Sequence, residues 1–267
     1  MKIGYYPGCS LHSTGIEYDV SAKKVSAALG LELVEVKDWV CCGSRPTHQS
    51  DDLMSVALPM KNMSLMKEKN KLDEMCVPCA SCYSRMKFAQ ERIKDEGTRK
   101  KIEEIIGSAC PSDVNVLHML DTIVEKVGLE EVQKKVVKPL AGVKAVCYYG
   151  CLMTRPPKVT GKEKFENPVN MEALLETLGA ETPDWNMKTF CCGASFALTQ
   201  TQVVLELTKK ILDDAVSAGA NAISVGCPLC HANLDGRQEQ INAKYKTSFK
   251  MPIFYFTELM GLSFGIK

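Results

Sequence analysis

The sequence predicts an α/β protein built of two similar halves related by pseudo-two-fold symmetry, each a small, open, largely parallel sheet flanked by helices. Three observations predict it. The first is an internal repeat: Gly8-Cys9, Cys41-Cys42-Gly43 and Cys79-Ala80-Ser81-Cys82 recur as Gly150-Cys151, Cys191-Cys192-Gly193 and Cys227-Pro228-Leu229-Cys230. The gaps between motifs are 31, 36 and 2 residues in the first copy and 39, 34 and 2 in the second, differences that loop insertions explain. The second is the alternation of short apolar runs with segments of helical spacing, the order of an open α/β sheet. The third is that each single cysteine and each CxxC follows a strand-like run, and sites in open α/β sheets lie beyond the carboxyl ends of parallel strands. The repeat absorbs ten of the 13 cysteines and divides the chain into domains of residues 1–138 and 139–267.

In the first half, Lys2 to Tyr6 reads as a strand that delivers Cys9, and Ile16 to Leu29 as a helix closed by Gly30. Glu32 to Val36 alternates as a second strand before the Cys41-Cys42-Gly43 turn. Leu53 to Met66 has helical spacing, with Pro59 marking a kink or break. Glu74 to Val77 is a third strand leading to Cys79, Cys82 opens a helix to about Ile93, and Ile102 to Ile106 is a short helical piece. Strand Val114 to His118 and helix Met119 to Val127 end this half, and the charged stretch Gly128 to Pro139 bridges to the next.

The second half repeats the plan. Val143 to Tyr149 is the opening strand, and Leu152 to Pro168, with three prolines, is an irregular loop of the kind that borders a site. Met171 to Leu178 and Val203 to Ala218 are helical, and Ala222 to Val225 is the strand before Cys227. The tail Ile253-Phe254-Tyr255-Phe256-Thr257 resembles Val116-Leu117-His118-Met119-Leu120 as a strand followed by a helix.

Composition bounds the function. A net charge of +1 gives no nucleic-acid surface, because the basic clusters at Lys67 to Lys71, Arg99 to Lys101 and Lys134 to Lys138 have acidic neighbours and read as solvated helix faces. The longest apolar run, Ala145 to Met153, falls short of the ~20 residues that span a bilayer. Strand-like sequence follows Met1 directly, without the pattern of a signal peptide, so the expected location is cytoplasmic. In that reducing compartment an odd number of cysteines points to metal thiolates or redox work rather than structural disulfides.

Five matched cysteines per half exceed the four that saturate a structural zinc or a cubane [4Fe-4S] cluster, so either would leave one over in each half. A site with a bridging or extra thiolate uses all five. Two adjacent cysteines converge on one centre only if the backbone turns sharply, which Gly43 and Gly193 permit. A competing pattern, Cys76-x-x-Cys79-x-x-Cys82 with a remote Cys110-Pro111, has the form of a ferredoxin ligand run, but Ser224 stands where the repeat would need a second Cys76.

The duplicated pattern Cys9, Cys41-Cys42-Gly43, Cys79-x-x-Cys82 and Cys151, Cys191-Cys192-Gly193, Cys227-x-x-Cys230 resembles the paired cysteine-rich CCG domains of the heterodisulfide reductase B subunit, over nearly the whole chain. The resemblance implies that each set of five cysteines holds a non-cubane [4Fe-4S] cluster. It further implies that the two clusters face a shared cleft where the mixed disulfide of coenzyme M and coenzyme B is reduced in methanogenesis. Electrons would come from an iron-sulfur partner, the reductase's C subunit, alongside its A subunit, which carries flavin and iron-sulfur centres.

Splitting a disulfide takes two electrons, and a pair of one-electron centres on either side of it meets that need. The rival chemistry is thiol-disulfide exchange by one CxxC pair. The family substrates are anionic, so Arg45 and Arg155, close behind cysteine motifs, are expected substrate contacts, and His48 and His231 expected proton donors. A pure electron-transfer role remains the alternative, because CCG domains also occur in chains resembling components of thiol-driven fumarate reductases, lactate-oxidation complexes and sulfur-metabolising complexes.

Overall fold

Among the described residues seven short strands form two all-parallel sheets. The computed structural model describes residues 1–44 and 47–266, with the backbone alone at His48. The first sheet contains β1 (Lys2–Tyr5), β2 (Glu32–Glu35), β3 (Glu74–Val77) and β4 (Asn115–His118) in the order β2-β1-β3-β4. The second contains β5 (Ala145–Tyr148), β6 (Ala222–Val225) and β7 (Ile253–Tyr255) in the order β5-β6-β7. Pairing runs in register, Gly4 with Met75 and Met75 with Val116 in one sheet, Val146 with Ile223 and Ile223 with Ile253 in the other. Thus β5, β6 and β7 correspond to β1, β3 and β4. The place of β2 is marked in the second half by a single parallel bridge between Lys144 and Glu181.

Every residue of β5 and β6 is buried, which is why neither strand alternates apolar with exposed polar residues. Helices α1 (Ile16–Ala28), α2 (Asp52–Leu65), α3 (Ala80–Arg92) and α4 (Glu96–Ile106) flank the first sheet. Helices α5 (Asn170–Thr177), α6 (Thr201–Ser217), α7 (Pro228–Leu234), α8 (Gln238–Tyr245) and α9 (Phe256–Ser263) belong to the second.

Three local outcomes differ from the sequence expectation. Pro59 does not break α2, which continues through it and is capped by the Asp51 carboxylate accepting from Met54 N–H at 3.0 Å. The helix expected to open at Cys82 starts at Ala80, so both residues between the CxxC cysteines lie in its first turn. The short piece Ile102 to Ile106 is the end of α4, whose start the Asp95 carboxylate caps by accepting from Thr98 N–H at 2.7 Å.

The halves meet through exchanged helices. Helix α1, which follows the first strand of its half, packs on the tail helix α9 of the other, and α5 packs on the tail helical turn at Met119–Asp121. This reciprocity is the pseudo-two-fold relation in physical form. Tyr18 of α1 stacks on Tyr255 with ring centroids 4.1 Å apart, and Ser21 and Thr257 share a hydroxyl hydrogen bond of 2.7 Å.

His118, at the end of β4, closes the seam. Its Nε2–H donates to the Gly226 carbonyl at 2.9 Å and its Nδ1 accepts from Leu120 N–H at 3.1 Å, which fixes the neutral ring. Burial pushes its pKa below the ordinary value. A lowered folded-state pKa means stability that is complete above about pH 6.5 and declines as pH falls below it, by up to about 1.4 kcal/mol per pH unit. His118→Gln is expected to lose that acid-side slope, read from urea midpoints of both proteins between about pH 7.5 and 5. Identical slopes would place the titrating group elsewhere.

Candidate metal-thiolate site

Every single cysteine and CxxC of the repeat lies just past the carboxyl end of a strand: Cys9 after β1, Cys79 after β3, Cys151 after β5 and Cys227 after β6. The two CCG turns are brought up to them by pinned backbone. Tyr6 donates its hydroxyl to the Val40 carbonyl at 2.8 Å and Tyr148 donates to the Phe190 carbonyl at 2.6 Å, in each case the residue just before the paired cysteines. In the first half Asn62 adds a second clamp, accepting from Val40 N–H at 2.8 Å and donating to Val40 O at 2.9 Å.

The glycines of the turns do two things. Gly43 and Gly193 sit at φ of +68° and +74°, and a Cβ on either would come within 2.9 Å of a neighbouring side-chain atom. Their N–H groups donate to the first cysteine of each pair, Gly43 to Cys41 Sγ at 3.5 Å and Gly193 to Cys191 Sγ at 3.3 Å. Contacts from Cys42 and Cys9 on Cys41, and from Cys151 on Cys191, push both thiols below the ordinary range, toward thiolate, and the glycine donors add a smaller push the same way.

The sulfurs form one array. Cys42 and Cys82 Sγ are 3.1 Å apart, Cys151 and Cys191 are 3.7 Å apart, and so are Cys192 and Cys230. These distances exceed the ~2.05 Å of a disulfide, and all ten thiols are free. Cys9 contacts Cys41, Cys41 contacts Cys42, and each CxxC closes on itself. Across the seam Cys79 and Cys227, the first cysteine of each CxxC, stand close enough to act on each other's titration. The two sets of five therefore touch at the pseudo-axis.

Ten soft sulfur donors with no carboxylate or histidine among them suit iron-sulfur chemistry. Two glycines also leave room for it. Gly8 and Gly150 lie at φ of +70° and +66°, and a Cβ on them would stand 3.1 Å from Cys82 Sγ and Cys230 Sγ respectively. Both second cysteines of the CxxC pairs are thus approached by bare backbone. No group of three or more Cys, His, Asp or Glu side chains among the described residues closes about a single ion. The array is a chain of close pairs rather than one compact tetrahedron.

A pocket of about 130 Å³ opens on the second set. Cys151, Cys191, Cys192, Cys227 and Cys230 line it, and the first half contributes Ser44, Ala80, Ser81 and Arg85. Larger hollows occur elsewhere, including one of about 500 Å³ along the seam beside Lys87 and Lys162, but no cysteine lines that hollow.

The residues expected to contact substrate are placed differently. Arg155 donates to Thr189 Oγ1 at 2.9 Å, lies 3.9 Å from Glu166 and does not line the cysteine pocket. His231 stacks on Tyr255 at 4.5 Å with Nε2 3.2 Å from the Ile253 carbonyl, also outside the pocket lining. Arg45 and the side chain of His48 lie outside the described residues. The cysteines beyond the repeat stand apart from the array. Cys76 Sγ faces Met119 Sδ at 3.2 Å, Cys147 is buried in β5, and Cys110 lies beside Glu103, which accepts its N–H. Reading motif neighbours along the chain does not reach Arg85, although its position three residues beyond Cys82, on a helix the CxxC opens, places it on the same face as that ligand.

Comparison with known proteins finds relatives that match along the whole chain. The chain is 28% identical, over 99% of its own length and 93% of the relative's, to the 8-methylmenaquinol:fumarate reductase membrane anchor subunit of Wolinella succinogenes. It is 25% identical, over its full length and 90% of the relative's, to the B subunit of the ferredoxin/F(420)H(2)-dependent CoB-CoM heterodisulfide reductase of Methanosarcina acetivorans. A protein of Archaeoglobus profundus described as like the heterodisulfide reductase B subunit is 26% identical over 99% of this chain and 91% of its own. Among the described residues no helix is long and apolar enough to cross a membrane. In fold, a crystal structure of a hypothetical protein from Helicobacter pylori superposes on the whole chain with a TM-score of 0.75 at 10% identity. The chain spans about half, 49%, of that protein's length. Residues 3–87 and 145–235 each match the CCG cysteine-rich domain, so the chain belongs to that family, with two copies in tandem.

Proposed function

We propose that this chain is the disulfide-reducing component of a multisubunit redox complex, the B subunit of a heterodisulfide reductase acting on the mixed disulfide of coenzyme M and coenzyme B. The observation that carries the reading is the contact between Cys79 and Cys227, which joins two five-cysteine sets into one array beside a pocket. Residues 1–138 and 139–267 are taken as the two domains. Cys9, Cys41, Cys42, Cys79 and Cys82 would hold one [4Fe-4S] cluster of non-cubane type, and Cys151, Cys191, Cys192, Cys227 and Cys230 the other. When bound, such clusters supply single electrons at closely spaced sites.

The rest falls to the protein. The reaction R–S–S–R′ + 2 e⁻ + 2 H⁺ → RSH + R′SH needs the ligand held at the sulfur array, water kept from it, and electrons from outside the chain. Tyr6 and Tyr148 hold the CCG turns so that the ligands neither shift nor collapse into disulfides when the electron count changes. Buried side chains around Cys79, Cys82, Cys227 and Cys230 exclude water. The electron donor is the iron-sulfur C subunit of such a complex, together with its flavin-containing A subunit, in the cytoplasm.

A second reading, an electron-transfer component without its own substrate, is favoured by the similarity to the fumarate reductase membrane anchor. One experiment separates them. The iron-loaded chain, anaerobic and supplied with a reduced viologen dye, is expected to consume the mixed disulfide and release two thiols per bond broken. Dye-reducible iron with no thiol released leaves the relay reading. Activity that persists in the iron-free chain leaves thiol-disulfide exchange.

A further inference from the structure

The pocket over the second sulfur set is not symmetric, although the fold around it is. Arg85 reaches it from the first half, beside Ser44 and Ser81, and among the described residues no carboxylate lines the pocket. Its guanidinium rests 4.9 Å over the Phe88 ring one turn along α3. Burial weighs against its charge, and the Cys42 thiol is the ionisable group that acts on it. A half-buried guanidinium with no carboxylate beside it is a ready site for an anion, because its planar fork matches the two oxygens of a carboxylate, sulfonate or phosphate.

The other half has no counterpart. The residue three beyond Cys230 is Asn233, which is buried and fully engaged. Its Nδ2 donates to Cys192 O at 3.1 Å, and its Oδ1 accepts from Arg237 Nε at 3.1 Å. A repeat that places arginine at one copy and a ligand-bracing asparagine at the other gives the pocket one charged wall. An unsymmetrical ligand then has a preferred direction in it.

We propose that Arg85 reads the anionic group of a thiol or disulfide ligand, and that this anchor on the first half turns the ligand's sulfur toward the centre that the second set of cysteines would hold. This rests on the reading above that the pocket receives sulfur ligands. It adds the residue that selects them by charge and the direction in which they lie.

The test uses the iron-loaded chain under anaerobic conditions and follows its visible and EPR spectra as 3-mercaptopropionate or the neutral 3-mercaptopropionamide is added. The acid is expected to bind about tenfold more tightly than the amide, the size of one charge-assisted contact. Arg85→Gln is expected to erase that difference by weakening the acid alone, with the iron content unchanged, and Arg85→Lys to keep part of it. Equal binding of acid and amide by the unaltered chain, or equal weakening of both by Arg85→Gln, overturns the assignment to Arg85 while leaving a sulfur-ligand pocket. Spectra that respond to neither thiol overturn the sulfur-ligand reading and this proposal with it.

Discussion

Cys192→Ala is expected to cost the chain half of its iron and inorganic sulfide, those of the second set, and to leave the first set loaded. Cys192 is 3% exposed, 3.7 Å from Cys230 Sγ, and receives Asn233 Nδ2 at 3.6 Å on its own sulfur, so its neighbours fix its place in the set. Cys42→Ala should do the same to the first set. The control is Cys147→Ala, an equally buried cysteine of β5 that touches none of the ten, which should keep all its iron and lose only about 1 kcal/mol of packing. The full series decides the ligand number as well. If each centre needs five thiolates, all ten substitutions lower the iron content. If four suffice, one cysteine per half, the same one in both by the repeat, is dispensable. Full iron retention by every one of the five substitutions in the second set would remove that set from the proposal.

Asn62→Leu is the second large effect expected, and it falls on the first half alone. Asn62 is completely buried and satisfies both backbone groups of Val40, while its Nδ2 also reaches the Leu58 carbonyl at 3.1 Å. Leucine fills the volume but leaves the Val40 N–H without an acceptor next to the Cys41-Cys42 turn. The cost is about 2 kcal/mol in unfolding free energy, with the first set losing iron before the second on dilution with chelator. Tyr6→Phe should be non-additive with it, because Tyr6 and Asn62 donate to the same Val40 carbonyl. The second half gives the internal reference. There Phe190 is held by Tyr148 and by its own N–H to the Met187 carbonyl at 3.2 Å, with no asparagine involved, so its iron should be unaffected. A uniform loss of iron from both halves would show that the clamp is not local.

Much of the fold is legible in the chain, for local reasons. Strands Glu74–Val77 and Ala222–Val225 fall where the short apolar runs put them, and α6 lies within two residues of its periodic stretch. What escapes are elements without a strong apolar stripe. Helix α4 fully buries only Ile102, and its apolar positions, Ile102, Ile105 and Ile106, all fall in its second half, so its first turns carry no signal beyond the Asp95 cap. Helix α8 buries only Gln238 and Ile241 and is equally quiet. Pro59 reads as a breaker because the rule is local. In the folded chain the helix around it is buried from Ser55 to Leu65 along most positions, and that packing outweighs one missing hydrogen bond.

The chemistry divides along the same line. The duplication, the ten cysteines and the glycine turns that let neighbouring thiols converge are written in residue order alone, because identity and spacing along a chain are one-dimensional facts. That Cys79 meets Cys227, that Arg85 rather than Arg155 lines the pocket, and that the pocket opens on the second set emerge with folding. Those contacts join residues more than sixty positions apart, and their partners are chosen by how two sheets and their exchanged helices bury apolar surface against each other, a choice no local pattern encodes.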